Sequence, residues 1–514
     1  MSDELNEGWQ ILRITDYYSH KIVAPSSWVQ ASFSEICRII GGSQPPKECF
    51  VMEQREGYIR LIQIRDYKTD KFATYIPTNL AKRFCNKGDI MIGRYGPPIF
   101  QILRGLEGSY NVALMKAEPN PQLVDKEFLY YFLQTANLFN YIAAASLRTA
   151  GQDGVRKEHL DNYPVFVPPL NEQRRIVAKI EELRERSQKA RSHLSAIPNL
   201  CNKFRQSVLA AAFRGDLTAD WREQNPDVET ASVLLERIKI RQGNFSKNYK
   251  AKKSSSTELT DFISNESLNL PEGWSFTTAV ESCIDVVDCH NKTAPYTNTG
   301  IKLIRTSNIR NGVINLKDTK FVDQPTYKFW SRRCPPQPGD IIFTREAPMA
   351  EVGMIPPGET ICMGQRMMLL RVDNEDLLAE YLLYVLQAPL IQKYAEEIAV
   401  GTGVKHLRVK DVEQLPIVVP PLHEQKLIVK TIKELFKVIE LVEEQYYAND
   451  TYLAHLDRSI LAKAFRGELV EQDPNDEPAS VLLERIRAER EQQTQGKAKK
   501  PGKKGQRTIK TDPP

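Results

Sequence analysis

The sequence has no Cys-x-x-Cys pair, no histidine at zinc-finger spacing from any of its eight scattered cysteines, and no apolar run of about 18 residues. These absences argue against a disulfide framework, a structural metal and a membrane span. Cys289-His290 reads as a packing pair rather than as two metal ligands. With no signal peptide either, the chain is expected to be soluble and cytoplasmic, where thiols stay reduced. Charge of one sign is also in short supply. The net charge is +5, yet 496–514 alone holds seven Lys/Arg against one Asp, so 1–495 sums to −1. Bulk basicity therefore belongs to a tail and does not by itself argue for nucleic-acid binding.

Catalytic signatures are missing as well. The chain has no Gly-x-x-x-x-Gly-Lys-Ser/Thr, no Asn/Asp-Pro-Pro-aromatic, no Gly-x-Gly-x-x-Gly and no His-Glu-x-x-His. Pro226-Asp227 resembles the start of a nuclease motif, but Glu236 is followed by lysine at the third rather than the second position. No residue is nominated as catalytic.

What the chain does contain is itself, twice. Residues 164–217 match 416–469 at a constant offset of 252, including Val167-Pro-Pro-Leu-Asn-Glu-Gln173 against Val419-Pro-Pro-Leu-His-Glu-Gln425. Eight of eleven positions agree between Ser207–Leu217 and Ser459–Leu469, and Ala231–Ile238 recurs unchanged as Ala479–Ile486. A repeat of this length is a duplicated structural unit. Upstream the likeness is looser: Trp28, Glu35 and Cys37 answer Trp274, Glu281 and Cys283, Leu61-Ile62 answers Leu303-Ile304, and Gly88-Asp-Ile90 with Arg94 answers Gly339-Asp-Ile341 with Arg345. Leu5-Asn-Glu-Gly-Trp9 also foreshadows Leu270-Pro-Glu-Gly-Trp274. The tight segments would set geometry, and the loose ones are free to differ in what they recognise.

After Pro168-Pro169 the apolar residues step by four and three through Ile176, Ile180, Leu183 and Ser187, and after Pro420-Pro421 through Ile428, Ile432, Leu435 and Ile439. That is an a/d seam, and the two copies are expected to pack as antiparallel coiled-coil helices. Asn171 is placed to cap the first helix, His423 less well the second, and Pro198 should interrupt or kink the first. The upstream pieces read as mixed α and β. Strands are expected at Tyr58–Ile64 and Ile301–Arg305, and after the Gly88 and Gly339 turns; helices are expected at 128–141 and 379–394. The fold class is therefore α+β: two globular domains and two long helices in an internal pseudo-twofold repeat. The boundaries are an extension (1–25), a first domain (26–167), a helical spacer (168–243), a basic linker (244–270), a second domain (271–419), a second spacer (420–495) and a disordered basic tail (496–514).

Arg60, Arg65, Arg94, Arg148 and Arg156 in the first domain, with Lys302, Arg305, Asn308, Arg345, Arg366 and Lys405 in the second, are the candidates for DNA contact. Arginine forks onto guanine or phosphate and asparagine onto adenine; ordinary solvated charge is the alternative for each. Gly151, Gly154, Gly401 and Gly403 would let backbone approach a phosphate, or simply form loops. Phe213-Arg214-Gly215 and Phe465-Arg466-Gly467 read first as helix ends closed by glycine. With Leu217, Leu469 and the repeated Ala231–Ile238 faces, the same corners are candidates for docking a partner used in two copies.

Two variable domains, each followed by a Pro-Pro-Leu-x-Glu-Gln helix ending in Ala-Phe-Arg-Gly, resemble the specificity subunit of type I restriction–modification enzymes. The resemblance covers nearly the whole chain. It implies that each domain reads one half of a split double-stranded DNA target while the helices set the gap. It also implies two methyltransferase subunits using S-adenosylmethionine and two motor-nuclease subunits using ATP and magnesium, so no cofactor is expected in this chain. An assembly scaffold that does not read sequence, or a self-contained DNA-modifying enzyme, would be the rival readings.

Overall fold

The computed structural model describes residues 24–146, 154–245 and 269–498. The chain divides into two compact units. One joins Met1–Leu194 to Ala448–Pro514, and the other is Ser195–Tyr447. Each unit thus combines one globular domain with a stretch of each long repeated segment.

In the first unit, Val29–Ser32 pairs antiparallel with Pro164–Val167, so the two ends of the domain are zipped together. A one-turn helix, Phe33–Ile36, follows, with the Ser32 N–H donating to Glu35 Oε2 at 2.8 Å. The chain then builds an antiparallel sheet in the order Cys37–Gly41, Leu114–Pro119, Ile90–Gly93, Gln101–Leu103. A smaller sheet holds Tyr75–Pro77, Tyr58–Ile62, Gly108–Tyr110 and Phe84–Cys85. The second unit repeats the plan: Ser275–Thr278 pairs with Pro416–Val419. A six-stranded sheet contains Ile341–Arg345, and a three-stranded one runs Lys320–Val322, Ile301–Ile304, Ile361–Met363. The architecture is α+β in both.

The strand expected to reach Ile64 ends at Ile62, and a 3-10 turn, Ile64–Tyr67, takes over because Asp66 Oδ2 accepts from the Gln63 N–H at 2.9 Å. The single helices expected at 128–141 and 379–394 are each two. Lys126–Phe132 and Ala136–Ser146 are separated by a turn in which Thr135 Oγ1 donates to the Phe132 carbonyl at 2.8 Å. Ala379–Gln387 stops before Pro389, because Ala388 is pushed to the extended region (ψ 148°) that a residue preceding proline prefers.

The first long segment is also two helices, Leu170–Leu194 and Ile197–Arg214, with Pro198 in the first turn of the second, where its missing N–H costs nothing. The other is one 43-residue helix, Leu422–Ala464. Within the first unit, Ile176 and Ile180 share a core with Ile460, Leu461 and Ala464, and Arg191 pairs with Asp457 at 2.8 Å. Within the second, Val208, Leu209 and Ala212 share a core with Ile428, Val429 and Ile432, and Arg205 forks onto Glu443 at 2.6 and 2.8 Å. In both, one helix's numbers rise as the other's fall, so the packing is antiparallel. Val442 and Leu456, which continue the four-and-three stepping beyond Ile439, are exposed.

The Ala231–Ile238 and Ala479–Ile486 faces were expected to await a partner. They pack inside their own units: Ala231, Leu235 and Ile238 join the core around Trp274, and Ala479, Leu483 and Ile486 are buried in the first unit, with Arg487 reaching Glu35 at 2.8 Å.

Candidate nucleic-acid interface

The repeated Glu-Gln pair is a joint. Both helices start two residues earlier than a cap at Asn171 or His423 would require, at Leu170 and Leu422, directly after the two prolines. This turns Glu172 and Gln173 inward, and both are buried. Glu172 Oε1 accepts from Trp28 Nε1 at 2.9 Å and from Gln472 Nε2 at 2.7 Å. Burial pushes its carboxyl above the ordinary range, against the pull of those two donors. Gln173 Oε1 accepts from the Asp125 N–H at 2.7 Å, while Nε2 donates to the carbonyls of Leu123 and Pro168, each at 2.9 Å. The second unit builds the same joint. Glu424 Oε2 accepts from Trp274 Nε1 at 2.7 Å and Oε1 from Thr218 Oγ1 at 2.6 Å. Gln425 bonds the Leu378 N–H at 3.0 Å and the carbonyls of Asp376 and Pro420 at 3.0 and 3.1 Å. The two adjacent side chains make five hydrogen bonds in the first unit and six in the second, where Glu424 Oε1 also accepts from Arg222. Those to Trp28, Leu123 and Asp125, and to Trp274, Asp376 and Leu378, tie each domain to the start of its helix. Sequence reasoning missed this use of the tryptophans, although their shared offset of 246 was the available signal.

The glycines after each Phe-Arg close the same corner. Gly215 and Gly467 have φ of 84° and 77°, and an added Cβ would lie 2.5 Å from Pro271 Cγ and 2.4 Å from Pro25 Cγ respectively. Pro25-Ser-Ser-Trp28 is thus the counterpart of Pro271-Glu-Gly-Trp274; Leu5–Trp9 lies outside the described residues.

Arg94, half-buried, and Arg345, buried, are both tied to backbone carbonyls of their own domains. Arg94 donates from Nε to the Val155 carbonyl and from a terminal nitrogen to that of Val112, both at 3.0 Å. Arg345 is buried and donates to the Leu407 carbonyl at 3.1 Å, while the Leu407 N–H returns a bond to the Arg345 carbonyl at 3.0 Å. Asn308 is likewise buried and caps a turn, accepting from the Arg305 N–H at 3.0 Å, so its amide is unavailable to an adenine. Lys302 is paired with Glu359 at 2.7 Å and Arg60 with Asp70 at 2.6 Å. Arg60 lines an open pocket of about 570 Å³ with Tyr58, Tyr75, Phe84 and Asn86.

Arg65, Arg156, Arg366 and Lys405 keep more of their charge in solvent. Arg65 has a half-exposed side chain, and Arg156 and Lys405 are exposed. Arg366 sits at φ 64°, a left-handed conformation uncommon for a non-glycine residue, and pairs with Glu346 at 2.9 Å. The structure gathers Arg366, Glu346 and the 400–406 loop at one end of the second domain through the Glu346–His406 and Val400–His406 bridges. Arg305 lies near the same end, since Thr306 Oγ1 donates to the Ala347 carbonyl at 3.0 Å. Arg148 and Gly151 lie outside the described residues.

The proposed docking corners are largely internal. Phe213 is buried against Tyr381 (centroids 5.6 Å apart), and Phe465 is half-buried against Phe128 and Phe132 (5.0 and 5.5 Å). Leu217 and Leu469 pack on the same cores. Only Arg214 and Arg466, paired with Asp216 and Glu468 at 2.7 Å, keep about half of their side chains exposed. Among the described residues no group of three or more His, Cys, Asp or Glu is arranged to hold a metal, and no helix is long and apolar enough to cross a membrane.

Two domains built on one plan, each locked to a helix by the same joint, are matched by known proteins. The family described as Type I restriction modification DNA specificity domain matches residues 25–193 and again 282–448. The chain belongs to this family. Among curated relatives, the type I restriction enzyme EcoBI specificity subunit of Escherichia coli is 25% identical over 482 residues, covering 90% of this chain and 92% of the relative. The EcoKI specificity subunit of Escherichia coli strain K12 is 25% identical over 497 residues, covering 91% and 96%. A solved structure described as concerning complex assembly and conformational transition of the type I R-M system aligns with a TM-score of 0.56 at 18% identity, over 87% of this chain and 99% of that one. The matched segments contain Trp28, Glu172 and Gln173 of the first joint and Glu424 and Gln425 of the second.

Proposed function

We propose that this chain is the subunit from which a type I restriction–modification complex takes its DNA sequence. Residues 26–167 read one half of a split target and 271–419 the other, while the repeated helices set the gap and carry the docking of two methyltransferase subunits. The observation that carries this reading is the contrast between joint and domain: Trp-Glu-Gln geometry is kept in both copies, whereas the sheets it holds differ in strand number and surface. A structure that must present two different readers in one fixed way has this division. A continuous helix of 43 residues spans about 65 Å at ~1.5 Å per residue, and inserting one residue would turn everything beyond it by ~100°.

On this reading the chain performs no bond chemistry. Methyl transfer belongs to the two methyltransferase subunits with S-adenosylmethionine, and translocation and cleavage to two motor-nuclease subunits with ATP and magnesium, all within the cytoplasm. Sharing of phosphate contacts with those partners agrees with the near-neutral charge of 1–495.

Long-read sequencing sensitive to methylation provides the test. DNA is taken from cells expressing this chain with its methyltransferase, with and without 26–167 replaced by another recognition domain. A split methylated motif in which only one half changes is the expected result. Methylation without a motif, or with one indifferent to the replacement, would favour a scaffold that does not read DNA.

A further inference from the structure

Each domain exposes one phenylalanine with cations laid against its ring. In the first, Phe72 is 43% exposed, and the Arg65 guanidinium and Lys71 ammonium lie 5.7 and 5.6 Å from its centroid. It sits on the excursion between the Tyr58–Ile62 and Tyr75–Pro77 strands of the small sheet. In the second, Phe329 is 50% exposed on the Gln324–Trp330 helix that follows the Lys320–Val322 strand of its small sheet. The Arg332 guanidinium stands 4.2 Å from the Phe329 centroid and donates to the Phe329 carbonyl at 2.7 Å. The two segments share no sequence motif, so their agreement is not inherited from the repeated helices.

A single exposed ring needs no explanation by itself; what sets Phe72 and Phe329 apart from other exposed rings such as Phe84 is the cations laid against them. Among the described residues, no carboxylate lies within ion-pairing distance of Lys71, Lys292, Lys328 or Arg332, while Asp288 is taken up by Arg333. His290 packs edge-on against Phe329 and Trp330, at 5.3 and 4.8 Å. Its imidazole is held below the usual range, first by partial desolvation and then by Arg332, Lys292 and Arg333, as a locally positive field requires. His290 also follows Cys289, whose N–H donates to the carbonyl of Met367, the residue after exposed Arg366. The backbone leading into the patch therefore meets the segment that carries Arg366. Stacking on the ring and the bond to the Phe329 carbonyl hold the Arg332 fork in place before any ligand arrives, which lowers the entropy lost on binding.

We propose that these two patches are DNA contacts, with Arg65, Lys71, Lys328 and Arg332 gripping phosphates while Phe72 and Phe329 pack against base edges in the groove. The inference rests on the function proposed above and assigns residues to it. Cations on phosphate position the domain without reading sequence, whereas an apolar ring against a base edge, such as a thymine methyl, discriminates.

The experiment uses the full chain co-purified with its methyltransferase subunits and a duplex carrying the methylated motif, with binding followed across salt concentrations. Arg332→Gln and Lys328→Gln should each weaken binding about three- to tenfold and lower the slope of log affinity against log salt by about 1, as loss of one phosphate contact does. Phe329→Ala should leave that slope unchanged and relax the half-motif read by 271–419 alone, and Phe72→Ala the other half alone. The surface glutamine variants should melt with the wild type, which keeps the test readable if an alanine variant unfolds. Unchanged affinity and motif in all variants overturns the proposal. Lost assembly with unchanged DNA affinity of the surviving complex also overturns it, in favour of a protein-docking patch. A wild-type complex that methylates without a split motif overturns the function itself, whereas a wild-type split motif with indifferent variants overturns only this inference.

Discussion

Replacing Gln425 with leucine removes the glutamine half of the second domain's joint while nearly preserving side-chain volume. Gln425 is fully buried and satisfies three backbone groups: the Leu378 N–H and the carbonyls of Asp376 and Pro420. Each buried group left without a partner costs about 1–3 kcal/mol. Taking the low end for three groups, and crediting the apolar leucine with up to about 1 kcal/mol, leaves a net loss of about 2–3 kcal/mol. In a unit the size of Ser195–Tyr447 that corresponds to a fall in melting temperature of roughly 4–12 °C. Gln425→Glu should be worse than leucine, because it sets a carboxylate oxygen against two carbonyl oxygens in a buried place. Scanning calorimetry of the subunit with its methyltransferase partners measures both. A leucine variant melting within about 1 °C of the wild type would refute the argument that these bonds hold the domain to its helix.

The two buried glutamates separate under one substitution. Burial raises the Glu172 carboxyl above its ordinary 4.5, so ionising it costs stability: the cost is absent below that value and grows as pH rises through the raised folded one. Both of its donors point at Oε1, which an amide keeps, so Glu172→Gln should melt at or above the wild type near pH 7–8, an advantage that fades toward pH 4. Glu424→Gln sets an N–H against Arg222 or Trp274 and should lower stability by about 1–3 kcal/mol, read by urea denaturation. Gly467→Ala meets Pro25 at a positive φ and should cost about 1–3 kcal/mol by the same measurement. Arg345→Ala should lower the melting temperature of the complex without changing the salt slope of DNA binding; a loss of slope with an unchanged melt would return Arg345 to the DNA.

The repeat, the paired long helices and the mixed α and β domains were legible in the sequence because periodicity and self-similarity are local or offset properties of the chain. Family membership was legible for the same reason, carried by Pro-Pro-Leu-x-Glu-Gln and Ala-Phe-Arg-Gly. The contact residues were less so. Arg94 and Arg345 were favoured because both follow a Gly-Asp-Ile turn, and that shared position is real; each bonds a carbonyl two residues ahead of a short helix, at Val155 and Leu407. A guanidinium that braces a fold and one that grips DNA are the same residue in a sequence.

The sequence by itself determined that two differing domains would be held by duplicated helices, since apolar seams and a gapless repeat leave little other use for them. Only the tertiary structure decided which faces are spent inside. It turned the repeated Ala231 and Ala479 helices onto their own domains and brought Trp28 to Glu172 across 144 residues of chain. It also left Phe72 and Phe329 in water beneath their cations. Burial is a property of what comes to lie opposite a side chain, and that is settled by contacts distant in sequence rather than by the residue or its neighbours.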